Sequence, residues 1–181
     1  MNRRLFVLGL MLAAFAQSVT SQEPVFQREL LVGSWKVNWE KSKPEARVTA
    51  SQLPSIYRQY EEQGEGFMLH TVIMVDAAQK RAWTLIGVIK YDGKEYPTYA
   101  GKSLADRLAS GKQPLETVAF RVVDAYNLEW TDRTNGKLTG TGTVALSKDG
   151  KTMTDTNRAY DSDGKEISMQ VLVYEKQPED Q

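Results

Sequence analysis

A single histidine, four tryptophans and one stretch polar on both faces are what this 181-residue chain offers to chemistry. His70 sits in Phe67-Met68-Leu69-His70-Thr71-Val72, where both phases of an extended chain are apolar. No oriented partner stands at a meaningful spacing, so a hydrogen-bonded structural histidine is favoured over an acid or base. Residues 151–161 carry Thr152, Thr154, Thr156, Arg158 and Tyr160 on one phase and Met153, Asp155, Asn157 and Ala159 on the other. Whichever phase turns inward brings polar groups into an interior. A two-residue turn at Asp149-Gly150 sets Leu146 opposite Met153 and Val144 opposite Asp155, sending Asp155 and Asn157 inside. A three-residue turn sets Leu146 opposite Thr152 and sends Arg158 and Tyr160 inside instead. Burial of Met153 favours the first register.

The tryptophans divide by position. Trp35 opens the first expected strand and reads as a plug for one end of the fold, since burying an indole removes a large apolar area from water. Trp39, Trp83 and Trp130 fall on the apolar phase of their strands. That is a core pattern, and an interior lined this way also serves a ligand. The candidate ligand contacts are therefore Trp83, His70, Trp130, Asp155, Asn157, Arg158 and Tyr160.

Several chemistries are excluded by composition. With no cysteine there is no thiolate nucleophile, disulfide or Cys-ligated zinc, and one histidine cannot build a multi-histidine metal site. Asp161-Ser162-Asp163-Gly164-Lys165-Glu166 resembles a calcium loop, but its glycine is fourth rather than sixth and Leu172 stands where the bidentate Glu belongs. A hairpin turn is the better reading. There is no Gly-x-Ser-x-Gly, His-Glu-x-x-His, Walker loop or Gly-x-Gly-x-x-Gly, so neither an enzyme nor a cofactor is expected. Glu61 and Glu62 are neighbours on a strand and point to opposite faces. The 23 Lys+Arg balance 23 Asp+Glu and lie scattered, which argues against nucleic acid.

The elements that must position these residues are announced by four turns: Asp92-Gly93-Lys94, Asn135-Gly136-Lys137, Asp149-Gly150-Lys151 and Asp163-Gly164-Lys165. Such pairs supply the positive φ angles of tight hairpins. The last three lie 14 residues apart, leaving strands of about ten residues between them. Period-two alternation places strands at 33–41, 55–62, 66–76, 80–91, 116–123, 126–133, 137–147 and 151–161, with a ninth at 165–175. One helix is expected over residues 103–109, with Ser103 as N-cap and Gly111 as stop. Two helical turns cannot roof so much sheet, so the meander is expected to close as an antiparallel up-and-down barrel of 8–10 strands, with a sandwich as runner-up.

At the N-terminus, Met1-Asn2-Arg3-Arg4 precedes an apolar run over residues 5–16, too short to span a bilayer and in the pattern of an export signal. Cleavage fits after Ala16 or after Ser21. The expected organisation is a signal peptide at 1–21, an arm at 22–32, a barrel at 33–176 and a tail at 177–181. The mature chain would have no membrane span and would work in the periplasm or outside the cell, held by packing and hydrogen bonds alone.

Gly33-Ser34-Trp35 at the head of the first strand, followed by a meander, resembles the lipocalins and the wider calycin group of ligand-holding barrels. The larger set, Gly33-Ser34-Trp35-Lys36-Val37-Asn38 with Lys41-Ser42-Lys43, Lys90-Tyr91-Asp92-Gly93-Lys94-Glu95-Tyr96-Pro97, Ser147-Lys148-Asp149-Gly150-Lys151-Thr152-Met153-Thr154 and Val173-Tyr174-Glu175-Lys176-Gln177, is similar to small exported bacterial proteins with a lipocalin-like barrel and no settled activity. Two departures from true lipocalins stand out: no clear second and third motif, and no room for a C-terminal helix after the last expected strand. Arg158-x-Tyr160, if inward, is similar to the carboxylate clamp of fatty-acid-binding proteins, although theirs lies on the final strand. The resemblance implies a binding protein for a small apolar or amphipathic molecule. The other reading is an envelope interaction protein with a filled barrel, acting through residues 96–115. Ligand identity and oligomeric state are not legible.

Overall fold

The four expected turns all reverse the chain, each in its own way. Asn135 and Gly136 both take positive φ, 52° and 75°, which is the type I′ geometry that matches strand twist. At the other three only the glycine does so: Gly93, Gly150 and Gly164. Asp92 and Asp149 each cap their own turn, accepting from Lys94 N–H and Lys151 N–H, while the third is capped by Asp161. Asp161 Oδ1 accepts from the backbone N–H groups of Asp163 and Lys165 at 3.0 and 2.9 Å, so the calcium-like loop is an Asx-stabilised hairpin.

The computed structural model describes residues 24–45, 53–76, 81–101 and 116–178. The expected export signal at 1–21 and the expected helix at 103–109 lie outside the described residues. A short helix α1 (Arg28–Leu31) is followed by ten strands: β1 (Gly33–Val37), β2 (Ser55–Gly64), β3 (Phe67–Asp76), β4 (Arg81–Ile89), β5 (Asp92–Ala100), β6 (Glu116–Val122), β7 (Asn127–Thr134), β8 (Lys137–Leu146), β9 (Thr152–Tyr160) and β10 (Glu166–Lys176). Each strand pairs antiparallel with its sequence neighbour, and β1 pairs with β10, which closes the sheet into one barrel. Closure leaves no free edge and turns one face of the sheet toward a common interior. Among the described residues, no helix is long and apolar enough to cross a membrane.

One end of the barrel is shut. Trp35 is fully buried and donates its indole N–H to the Leu31 carbonyl of α1 at 2.8 Å, while Lys176 Nζ lies 5.4 Å from the Trp35 ring. Leu31 and Phe26 join the same core, so the expected polar arm is in part a cap. The closing of this end directs any opening to the opposite rim.

Three expectations are corrected. The first strand stops at Val37 rather than Lys41, because the Asn38 side chain accepts from the N–H groups of Glu40 and Lys41 and bends the chain away. Trp39 is thus in a turn, donating to the Pro54 carbonyl at 2.7 Å, and not on a strand phase. The third correction is β5, which occupies part of what reads in sequence as one long connection over residues 96–115. Its pairing with β4 covers only Leu85, Ile86 and Gly87 against Thr98, Tyr99 and Ala100. Gly101 N–H donates to Thr84 O, so residue 97 would be the next but one donor toward β4, and it is proline.

The β8–β9 register pairs Leu146 with Met153 and Val144 with Asp155. The connecting loop is longer than two residues, since Ser147 N–H donates to Thr152 O and Gly150 N–H to Ser147 O. An even loop preserves the parity, and Met153 and Asp155 both point inward and are fully buried.

Candidate functional site

Away from the plugged end the interior holds a cavity of about 190 Å³. Its walls are apolar, with Ile56, Val72, Met74, Leu85, Val118 and Leu172 drawn from five strands. Its polar groups gather around one buried ion pair. Arg58 on β2 reaches across to Asp155 on β9, and their side chains are 11% and 1% exposed. The other carboxylate oxygen of Asp155 accepts the Trp130 indole N–H at 3.1 Å.

Two glycines on β8 make that last bond possible. Trp130 and Asp132 on β7 face Gly142 and Gly140 across the ladder. A Cβ on Gly142 would overlap the Thr156 carbonyl oxygen and the Trp130 ring. The indole therefore lies flat over β8 and meets a carboxylate one strand further on. Side-chain absence here is what positions a side chain.

The guanidinium is held on several sides. It lies 4.8 Å from the Tyr174 ring, and Arg58 Nη1 donates to Tyr60 Oη at 3.4 Å. Burial opposes its charge, but Asp155, with Tyr174 and Tyr60, outweighs burial and raises its pKa. His70 stacks on Tyr60 at 4.6 Å between centroids, with Phe120 edge-on at 6.2 Å. Burial, and then the nearby Arg58 charge, push its pKa down to about 3, so the ring is neutral. Asp132 moves the other way: burial, then the Asp155 charge, raise it to about 7, against a smaller lowering by Arg58. Three buried polar atoms around the cavity have no partner among the described residues: Arg58 Nε, His70 Nε2 and Tyr174 Oη. The three residues themselves line the cavity.

Of the candidates read from sequence, the cavity brings together Trp83, His70, Trp130, Asp155 and Asn157. Trp83 stands at the mouth, 39% exposed, packed against Gly101. Arg158 and Tyr160 are not part of it, because the even-loop register turns them outward. Arg158 pairs with Glu166 at 2.9 Å on the barrel surface, and Tyr160 Oη lies 3.1 Å from Thr141 Oγ1. The inward Arg-x-Tyr is instead Arg58-Gln59-Tyr60 on β2, and its charge is taken by Asp155. Sequence reading missed Arg58, Asp132 and Tyr174. Arg58 shares a phase with buried Ile56 and Tyr60, and Asp132 shares one with Leu128 and Trp130, which was the available signal.

Among solved structures, the chain has a weak likeness to the Rv2717c protein from M. tuberculosis, with a TM-score of 0.45 and 8% identity over 86% of this chain and 100% of that one. No protein-family model matches the chain, and no curated protein matches it.

Among the described residues no group of three or more His, Cys, Asp or Glu side chains is arranged to hold a metal ion. The cavity presents one neutral imidazole, one internally neutralised guanidinium, one carboxyl of shifted affinity for protons, and aromatic walls.

Proposed function

We propose that the barrel is a binding protein for a small apolar or amphipathic molecule, held in the interior cavity with its polar end among Arg58, Asp132 and Asp155. The observation that carries this reading is the combination of apolar walls with the converging side chains of Arg58, His70, Asp132 and Asp155 in a single cavity. Convergent polar groups in an apolar cleft are how ligand sites are usually lined.

Binding is favoured over turnover. His70 is the one imidazole, its Nε2 has no partner to orient it, and its ring is clamped between Tyr60 and Phe120. The Gly33-Ser34-Trp35 start and the closed meander support kinship with lipocalin-like proteins, in the wide sense, since true lipocalin barrels have eight strands. The basic start and apolar run over residues 5–16 support export to the periplasm or beyond.

Native mass spectrometry of the purified protein, followed by displacement of a naphthalene-sized fluorescent probe, tests the proposal. A retained or exchangeable one-to-one small molecule is expected. A protein that holds no mass adduct and takes up no probe is a filled barrel, and the interaction reading replaces this one.

A further inference from the structure

Resting on the binding reading, we infer that the cavity selects an organic cation, a protonated amine on a small apolar or aromatic body, with Asp132 as its counter-ion. The charge already inside decides the sign. Arg58 is the obvious attraction for an anion, yet it is committed to Asp155, and the pair is neutral as a unit. Asp132 is different. It lies on the inward phase of β7 opposite Val118, lines the cavity, and its carboxylate forms no hydrogen bond or ion pair among the described residues.

Glu116, the next position of β6 on the same phase as Val118, is not among the residues that line the cavity. The charges that act on Asp132 are Asp155 from β9 and Arg58 from β2; neutral His70 from β3, Tyr174 from β10 and Thr98 from β5 share its cavity, and Gly140 stands opposite it on β8. Arg81, at the start of β4, is exposed at the rim. An anionic ligand would bring a third negative charge, beside Asp132 and Asp155, to one neutralised guanidinium. A neutral ligand would leave the Asp132 charge unmatched. An ammonium answers Asp132 directly, and the indoles of Trp83 and Trp130 offer it π-faces.

Size narrows the class further. A cavity of about 150 Å³ accommodates benzene, and this one measures about 190 Å³. One ring with a short charged tail fits, and a long acyl chain does not.

The test is calorimetric titration of the full-length protein with three probes of one shape: 2-phenylethylamine, 2-phenylethanol and 3-phenylpropanoate. At pH 8.5 the amine is expected to bind at least tenfold tighter than either competitor. Burial and Asp155 hold the Asp132 carboxyl near 7, so at pH 5.5 only about one site in thirty is ionised, and the amine-to-alcohol affinity ratio falls up to about thirtyfold. In Asp132→Asn the ratio is expected to collapse toward one. Should that variant not fold, the pH series on the unaltered protein decides alone. Tightest binding of the acid, or an amine preference indifferent to pH and to Asp132→Asn, overturns the inference. Equal binding of amine and alcohol defeats the cation inference and leaves the binding reading standing; no binding by any of the three, nor by the naphthalene-sized probe, defeats both.

Discussion

Replacing Asp155 by asparagine keeps the shape of the side chain and removes its charge, which isolates the ion pair at the centre of the site. The amide oxygen of the variant still accepts the Trp130 indole N–H. Arg58 is then left charged, with its side chain 11% exposed and its Nε already unpartnered. Breaking a buried pair from one side costs about 3–5 kcal/mol when the remaining charge has neither water nor partner, so unfolding is measured at pH 5, where the Asp132 carboxyl in the same cavity is protonated. For a domain of this size that corresponds to a fall in Tm of roughly 6–20 °C. Removing both charges is another matter. Arg58→Met with Asp155→Leu replaces the pair by apolar groups of similar volume, and the double variant is expected within about 1 kcal/mol of the unaltered protein. Urea unfolding of the parent, Arg58→Met, Asp155→Leu and the double variant, followed by tryptophan fluorescence and far-ultraviolet circular dichroism, gives all four corners of the cycle, with a coupling energy of at least about 5 kcal/mol expected. If Asp155→Asn unfolds within about 1 kcal/mol of the parent, or the double variant shows the plain sum of the two singles, the guanidinium is hydrated and Arg58–Asp155 is not a buried pair.

Gly142→Ala should lower stability by more than about 2 kcal/mol and blue-shift or quench Trp130 differently from the parent, since the new methyl meets the Thr156 carbonyl and the indole together; a parent-like urea midpoint would count against the flat indole. Trp35→Ala should cost about 3–5 kcal/mol, read from the same unfolding curves, because the buried plug has no substitute at that end. The pH dependence has two opposed parts. His70, depressed to about 3, contributes stability present above its unfolded value near 6.5 and lost as pH falls toward 3. Asp132, raised to about 7, contributes stability present below its unfolded value near 3.8 and lost as pH rises through 7. Between about pH 4 and 6.5 these slopes nearly cancel in the parent protein. Asp132→Asn should therefore uncover a steady rise of stability over that window, and a curve as flat as the parent's would show that His70 is protonated when folded.

Much of the architecture was legible because turn chemistry is local. Asn135-Gly136 and the three Asp-Gly pairs announce their reversals, and the alternation of Val118, Phe120 and Val122 or of Leu128 and Trp130 states which face is dry. What failed did so for nameable reasons. β5 reads Asp-Gly-Lys-Glu-Tyr-Pro-Thr-Tyr-Ala, half of it turn-forming or charged, and it is a strand because β6 pairs along it rather than from any propensity of its own. The first strand was drawn too long because the bend after Val37 is made by a single asparagine side chain. The register of β9 depended on the parity of one loop, and once it went one way Asp155 became interior and Arg158 and Tyr160 became surface. Arg58 escaped notice for a deeper reason: its partner is 97 residues away on a strand that does not touch β2. Only closure of the barrel brings them together, and no pattern within either strand records it. Asp132 was hidden likewise, since Gly140, which leaves it room, reads in sequence as a weak spot in a strand.

The account rests on a hollow interior that accepts a guest. The most direct measurement is the affinity of the naphthalene-sized probe for the unaltered protein and for Val72→Trp, which places an indole in the cavity from the middle of β3. The account predicts saturable one-to-one binding that is lost in the filled variant while its circular dichroism is retained. Binding of equal strength in a folded Val72→Trp protein would contradict it, since the guest would then sit somewhere other than the barrel.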